Sequence, residues 1–399
     1  MKRIVTLLAV LLIAASNLHA VKIIHGPYLQ NVTATEATFV WISDSVSLGW
    51  VEIAPDDGTH FYVTERPQYF DCANGIKNES RIHSVCIRGL DPGTNYRYRV
   101  YAKEVTEHRG NYVAYGQTAA TDVYRKQPLK FRTLDSRAGS VSFTMLNDIH
   151  GDVPKLQTLI GHTDLSKTDM VLFVGDMVSV FESEEQVFGG FMDAAVDLFA
   201  KETPMYYTRG NHETRGRSAW AFQNYFSPFS EHIYYMYRQG PVCFVALDSG
   251  EDKPDSDLEY YGLTMYDNYR DEQVEWLKQI VKSEEFRSAP FKIVTCHIPP
   301  FGGWHGNDEV AKKFIPILEE AGVDIMLSAH LHKYVHKKAG ESASFPIVVN
   351  SNDTVLKAVV DGKTMKVEVL GMDGKTVDKF DYDISTMLNR TKKVRSSKS

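Results

Sequence analysis

Five apolar runs between residues 141 and 327 each stop on residues able to ligate a metal. Val141-Ser142-Phe143-Thr144-Met145 leads into Leu146-Asn147-Asp148-Ile149-His150, and Met170-Val171-Leu172-Phe173-Val174 into Gly175-Asp176. Met205-Tyr206-Tyr207-Thr208 runs on to Gly210-Asn211-His212-Glu213, Ile293-Val294-Thr295-Cys296 to His297, and Asp324-Ile325-Met326-Leu327 to Ala329-His330-Leu331-His332. Short apolar runs of this kind are buried strands, and open α/β sheets hold their ligands beyond the carboxyl ends of their strands. Singly, each group has an ordinary account: an Asp or Asn after a strand makes a cap or turn, and a lone His packs in a core or meets solvent. Five such groups at corresponding strand ends do not reduce to coincidence.

Helical patterns separate these runs, over 154–160, 185–200, 271–281 and 309–321, with Val274, Leu277 and Ile280 on one face of the third. A further strand covers 242–247, and two hairpins turn at Asp361-Gly362 and Asp373-Gly374. The pattern predicts a mixed α/β domain over 141–385 that ends in antiparallel strands.

Residues 21–134 read differently. Runs at 38–42 and 50–53 are separated by a Ser/Asp segment, 84–87 and 129–133 are further strands, and Asp56-Asp57-Gly58 is a turn. In Leu90-Asp91-Pro92-Gly93-Thr94-Asn95-Tyr96-Arg97-Tyr98-Arg99-Val100 a Pro-Gly turn precedes a strand on which Tyr96, Tyr98 and Val100 alternate. Short strands at this spacing predict an all-β sandwich. His25, His60, His83 and His108 are scattered through it and make no catalytic set, and Asn31-Val32-Thr33 is too short a glycosylation motif to carry weight. Residues 135–140 form a linker.

The ends bear on location. Lys2 and Arg3, an apolar stretch over 4–15 and Leu18-His19-Ala20 form a signal peptide over 1–20, predicting export to periplasm, medium or cell surface. The apolar stretch is short for an uncleaved anchor, and no later stretch is apolar enough to be a transmembrane helix. Loss of Lys2 and Arg3 lowers a net charge of −7 by two more. With no basic face, nucleic-acid binding is not expected; the Arg390, Lys392, Lys393, Arg395 and Lys398 tail within 386–399 reads as a disordered end. Of the four cysteines, Cys72 and Cys86 are the first pair to test as a disulfide, while Cys243 and Cys296 read as buried thiols.

Mixed carboxylate, imidazole and amide ligands suit Mn, Fe or Zn and not the all-oxygen cage of Ca. Two ions roughly 3.5–4 Å apart need a bridging ligand. Asp176, alone at its strand end, is the natural one, and His330 and His332 alternate so that each serves a different ion.

In order, Asp148-x-His150, Gly175-Asp176, Gly210-Asn211-His212-Glu213, His297 and His330-x-His332 resemble the five blocks of the calcineurin-like metallophosphoesterases. The resemblance implies a four-layer α/β/β/α sandwich and two metal ions, one on Asp148, His150, Asp176 and His332, the other on Asp176, Asn211, His297 and His330. It further implies in-line attack on phosphorus by a metal-bridging hydroxide, with Asn211 and His212 binding the phosphate of a small-molecule substrate and His212 protonating the leaving oxygen. Glu213 either orients His212 or is a structural salt-bridge partner. The first region, from His25-Gly26-Pro27-Tyr28-Leu29-Gln30 through the Tyr96/Tyr98 strand, resembles a fibronectin type III domain and the β-domain that precedes the catalytic domain of purple acid phosphatases.

Two departures stand out. Those enzymes place Gly where this chain has His150, and their colour-giving Tyr where it has Ser179; a colourless site is therefore expected. Ala329 replaces a usual Gly with little expected consequence. Arg215 and Arg217 stand where they could meet a phosphate but read first as solvated loop residues, Trp304 and His305 as rim residues of a Gly-rich loop within reach of a leaving group, and Asp248-Ser249-Gly250 as another strand end on the same edge. All of these stay outside the ligand set. The implied activity is exported, dinuclear phosphoester hydrolysis with monoesters favoured over diesters or nucleotide pyrophosphates. A non-catalytic surface binding protein would have lost ligands, and none of the positions is missing.

Overall fold

The structure is a computed structural model that describes residues 20–135, 137–226 and 232–383. Residues 1–19 of the expected leader and the whole 386–399 tail lie outside the described residues. Among the described residues no helix is long and apolar enough to cross a membrane.

Two sheets pack face to face over residues 141–383. In the first, Val141–Leu146, Met170–Val174 and Met205–Thr208 run parallel, and Thr354–Val360, Thr364–Gly371 and Thr376–Asp383 extend it antiparallel. In the second, Val242–Leu247, Phe291–Cys296, Ile325–Ser328 and Ile347–Val349 run parallel, with Tyr235–Gln239 and Val335–Lys337 antiparallel at its ends. Their facing sides bury Phe143, Met145, Leu172, Phe244, Ile293 and Leu327. The outer side of the first sheet meets Leu156, Leu159, Phe188 and Phe191 from helices. The outer side of the second meets Leu277, Val310 and Leu318. Strands buried on both faces read as continuous apolar runs, which is why the core strands were legible and the architecture is the expected α/β/β/α.

Helix boundaries differ from expectation for identifiable reasons. The third helix is Tyr266–Ile280 and starts early because Asp255 accepts from the backbone N–H groups of Tyr266 and Asp267 at 2.8 and 3.0 Å. The single helix expected over 309–321 is two, His305–Lys313 and Ile315–Ala321. Pro316 in the first turn of the second helix lacks the N–H that would continue the first one. The 184–200 stretch contains two π-helical turns, Phe188–Met192 and Val196–Ala200.

The first region is strand-rich with its own core of Phe39, Trp41, Val51, Tyr98 and Phe131. The runs expected as two strands are one, Glu36–Pro55. Its first half pairs with Ile23–Gln30 and Glu79–Arg88 and its second half with Asn95–Arg109, with a register shift between Ile42 and Ser47. The Ser segment does not turn, because Ser43 Oγ meets Ser47 Oγ at 2.9 Å and Ser47 Oγ meets His83 Nε2 at 2.8 Å, so its hydroxyls are satisfied inside the sheet. The region is not separate from the α/β half: Gln30 pairs in parallel with Met205, which joins the strands of both regions into one 13-stranded sheet. Tyr28 OH and Gln30 Nε2 donate to the Tyr225 carbonyl at 2.8 and 2.9 Å.

All four cysteines are free thiols, so the Cys72–Cys86 pair is not formed; Cys72 is exposed in a two-residue strand while Cys86 lies opposite Thr38. Cys243 and Cys296 are buried as expected, and burial pushes each thiol up to about 12.

Candidate metal centre

The five strand ends converge. Asp148 Oδ1 lies 3.2 Å from His332 Nε2 and 3.9 Å from both His150 Nε2 and His297 Nε2. Asp176 Oδ2 lies 3.0 Å from His297 Nε2, and His330 Nδ1 lies 3.1 Å from Asn211 Oδ1. Three overlapping groups emerge, Asp148/His150/His332, Asp176/His297/His330 and His150/Asp176/His212, each with donor atoms within 4.8 Å of one another. Asp176 belongs to two of them, between the groups built on His150 and on His297.

The backbone is bent to achieve this. Asp148, His150, Asp176, His330 and His332 all have φ between 49° and 71°, and they make up five of the eight non-glycine residues with positive φ among the described residues. Such conformations cost about 1–3 kcal/mol each and persist where surrounding structure enforces them. Two glycines make room. A Cβ on Gly175 would stand 2.4 Å from His297 Nδ1, and one on Gly210 would stand 2.2 Å from Asp176 Oδ1. Ala329 needs no such freedom, since its φ is not positive.

The donor set fits bound cations. Asp148 is fully buried, yet its Oδ1 has no hydrogen-bond partner; buried polar atoms left unpaired are rare. Asn211 Oδ1 faces Asp176 Oδ2, His330 Nδ1 and His297 Nε2 at 3.3, 3.1 and 3.2 Å, while its amide nitrogen faces Arg215 Nη2 at 3.0 Å. For hydrogen bonding alone the amide is the wrong way round; for an oxygen ligand it is the right way. Burial lowers His150 and His330 to about 4, which keeps both imidazoles neutral, the form that ligates. His297 goes the other way. Burial opposes its charge, but the Asp176 and Asp148 carboxylates override it and raise the imidazole to about 10. His297 Nδ1 lies 2.8 Å from the Val174 carbonyl oxygen, to which it donates, directing Nε2 at Asp176.

Glu213 has neither of its expected roles. Only 2% exposed, it accepts from the backbone N–H of Asp176 and Gly210 at 2.9 Å and of Met177 at 2.6 Å, and from Tyr207 OH at 2.8 Å. It ties the turn after one strand to the turn after its neighbour. Burial, then the Asp176 charge, raises its carboxyl above the ordinary range. His212 is instead oriented through Nδ1, 2.7 Å from the Ser179 carbonyl, and its backbone N–H donates to Asp176 Oδ1 at 2.8 Å. Its Nε2 is left beside the cluster, 3.9 Å from Asp176 Oδ2.

Sequence reasoning missed two supports. Asn350 Nδ2 donates to Asn147 Oδ1 at 2.8 Å, and Asn147 Nδ2 donates to Asp148 Oδ2 at 2.7 Å, so a relay from a distant loop holds the Asp148 carboxylate. Arg215 is no solvated loop residue: it forks onto the buried Glu251. Neither carried a local signal, since the partners are 203 and 36 residues apart. Arg217 is 84% exposed against Glu182, as expected of a loop residue. His305 turns away to Asp267 at 2.7 Å, where Arg270 and Lys313 already balance Asp267 and Glu309. Asp248 is buried against Arg209 and Tyr269, at 2.7 and 2.9 Å. Trp304 stands half-exposed.

Residues 141–334 match the calcineurin-like phosphoesterase family. Purple acid phosphatase 18 of Arabidopsis thaliana is 23% identical over 316 residues, 75% of this chain and 62% of that protein. Acid phosphatase type 7 of Homo sapiens is 24% identical over 290 residues, 65% of this chain and 57% of that protein. The chain thus spans less than two thirds of the length of these relatives. Purple acid phosphatase PPD1 from yellow lupin (Lupinus luteus) superposes with a TM-score of 0.66 at 15% identity, covering 90% of this chain and 74% of that one, which shows a shared fold.

Proposed function

We propose, taking as premise that residues 141–334 are a calcineurin-like phosphoesterase domain, that the protein is a metal-dependent phosphoric ester hydrolase acting on phosphomonoesters. The observation that carries this is the convergence of Asp148, His150 and His332 in one group and Asp176, His297 and His330 in the next, with Asn211 Oδ1 facing the second. Asp148, His150, Asp176 and His332 would hold one divalent or transition-metal ion, and Asp176, Asn211, His297 and His330 the other, with Mn, Fe or Zn as the candidates. When bound, such ions supply Lewis acidity toward the phosphoryl oxygens and an activated water. Asn211 and His212 bind the phosphate, and His212, steered by the Ser179 carbonyl, delivers a proton to the leaving oxygen.

His150 lies 3.2 Å from His332, whereas Ser179 offers no phenolate and its hydroxyl meets only the His150 carbonyl at 3.4 Å. The iron-loaded protein is therefore colourless on this reading, and a visible charge-transfer band would contradict it. Export, and a supporting role for residues 21–134 beside a catalytic region over 141–385, complete the proposal; the amino-terminal residue of the mature protein tests the first. The central experiment compares Mn-, Zn- and Fe-loaded protein across phosphomonoesters, diesters and pyrophosphates. Failure on all three classes rejects the proposal, and a preference for diesters or pyrophosphates redirects it.

A further inference from the structure

A guanidinium borders the Asn211–His212 pair, and groups outside the ligand cluster fix its orientation. Arg215 Nε and Nη2 donate to the two oxygens of Glu251 at 2.8 and 2.9 Å. Glu251, 1% exposed, also accepts from Thr214 Oγ1 at 2.8 Å and Tyr260 OH at 2.9 Å. Asp252 Oδ1 stands 3.5 Å from Nη2, and Lys253 stands 3.8 Å from that same oxygen. A fork of this kind occupies two of the five guanidinium N–H groups and locks the plane of the rest.

The remaining N–H groups are aimed at the site. Nη1 lies 3.3 Å from His212 Nε2, and Nη2 lies 3.0 Å from the Asn211 amide nitrogen when the amide oxygen faces the ligand cluster. Two N–H donors pressed together, beside an imidazole, call for a shared acceptor. Arg215 is about a quarter exposed, so an incoming group can reach it.

We propose that Arg215 binds a non-bridging oxygen of the phosphoryl group alongside Asn211 and His212, and that Glu251 and Tyr260 are positioning residues that hold the guanidinium edge toward it. This rests on the phosphoesterase reading of the same site. A planar fork gives directional contacts to phosphate oxygens that an ammonium does not reproduce. The competing account is a purely structural tie between the segments that carry Arg215 and Glu251.

The test uses metal-loaded full-length protein with inorganic phosphate as probe, followed by calorimetric binding and by competitive inhibition, with metal content and melting temperature measured in parallel. Arg215→Ala is expected to weaken phosphate binding by about ten- to a hundredfold, the worth of a charge-assisted hydrogen bond, with metal content unchanged. Arg215→Lys recovers only part of the loss. Tyr260→Phe, which preserves packing if Glu251→Gln does not fold, raises the inhibition constant by a smaller factor and moves KM more than kcat. Phosphate affinity within twofold of wild type in Arg215→Ala, with a lowered melting temperature, assigns the pair to structure alone and overturns the proposal, as does a wild type that binds no phosphate. A wild type that binds phosphate through Arg215 but hydrolyses no phosphoester leaves this site standing and rejects the activity.

Discussion

Aspartates stand at both edges of the paired sheets, and they do different work at each. At the amino edge, Asp169 Oδ2 accepts from the Ser142 backbone N–H and hydroxyl, both at 2.8 Å, and Asp324 Oδ2 accepts from the Lys292 N–H at 2.8 Å. Each closes a gap between neighbouring strands, and neither has positive φ. At the carboxyl edge, Asp148 and Asp176 take the left-handed backbone and face imidazoles, with Asp148 Oδ1 ringed by three imidazole nitrogens at 3.2–3.9 Å. Residue type does not separate the two sets. Backbone conformation and the neighbours met across the sheets do.

Substitutions sharpen or break that contrast. The largest expected effect belongs to Asp176→Asn, which removes a carboxylate common to two of the converging groups: metal content is expected to fall and turnover to be lost. Retention of both metals, measured by elemental analysis, would break the assignment of this edge. His212→Ala comes next, with metals kept and kcat lowered by about 10²–10⁴-fold, the range for a lost general acid, most for poor leaving groups. An emptied site would instead make His212 a ligand. Glu213→Gln turns an amide toward crowded N–H donors, so metal affinity drops by about 10–100-fold, as for other outer partners of ligands, and the melting temperature drops with it. Smallest is Asp324→Asn at the other edge. Burial raises the Asp324 carboxyl to about 6, so its contribution to stability is full below about pH 4 and fades as pH rises through 6, by up to about 3 kcal/mol. The Asn variant should show a flatter stability profile over that window in denaturant melts, with turnover untouched. Loss of activity there would dissolve the distinction between the edges.

The residues that converge were legible because each group follows an apolar strand directly; the collisions that a side chain at Gly175 or Gly210 would make were not. The illegible part depends on distance along the chain. Asn350 supports Asp148 through Asn147, and Glu251 aims Arg215, without any periodic signature. Glu213 was visible as a residue but not as a clamp, since its partners are backbone N–H groups that sequence does not distinguish. In the fold, apolar runs marked the core strands well. The Ser43–Ser47 stretch reads as a break because hydroxyls satisfied by one another look, in one dimension, like a turn.

The left-handed backbone at His150, with φ of 53°, has a consequence for how such sites diversify. It is a conformation that glycine adopts freely and that costs histidine about 1–3 kcal/mol, so a Gly there would relieve strain that His150 must bear. The resemblance to the purple enzymes places their Gly at this point and their ligating Tyr at the point of Ser179. If His150 ligates a metal, this chain places an imidazole on the first turn where the resemblance implies a phenolate on the second.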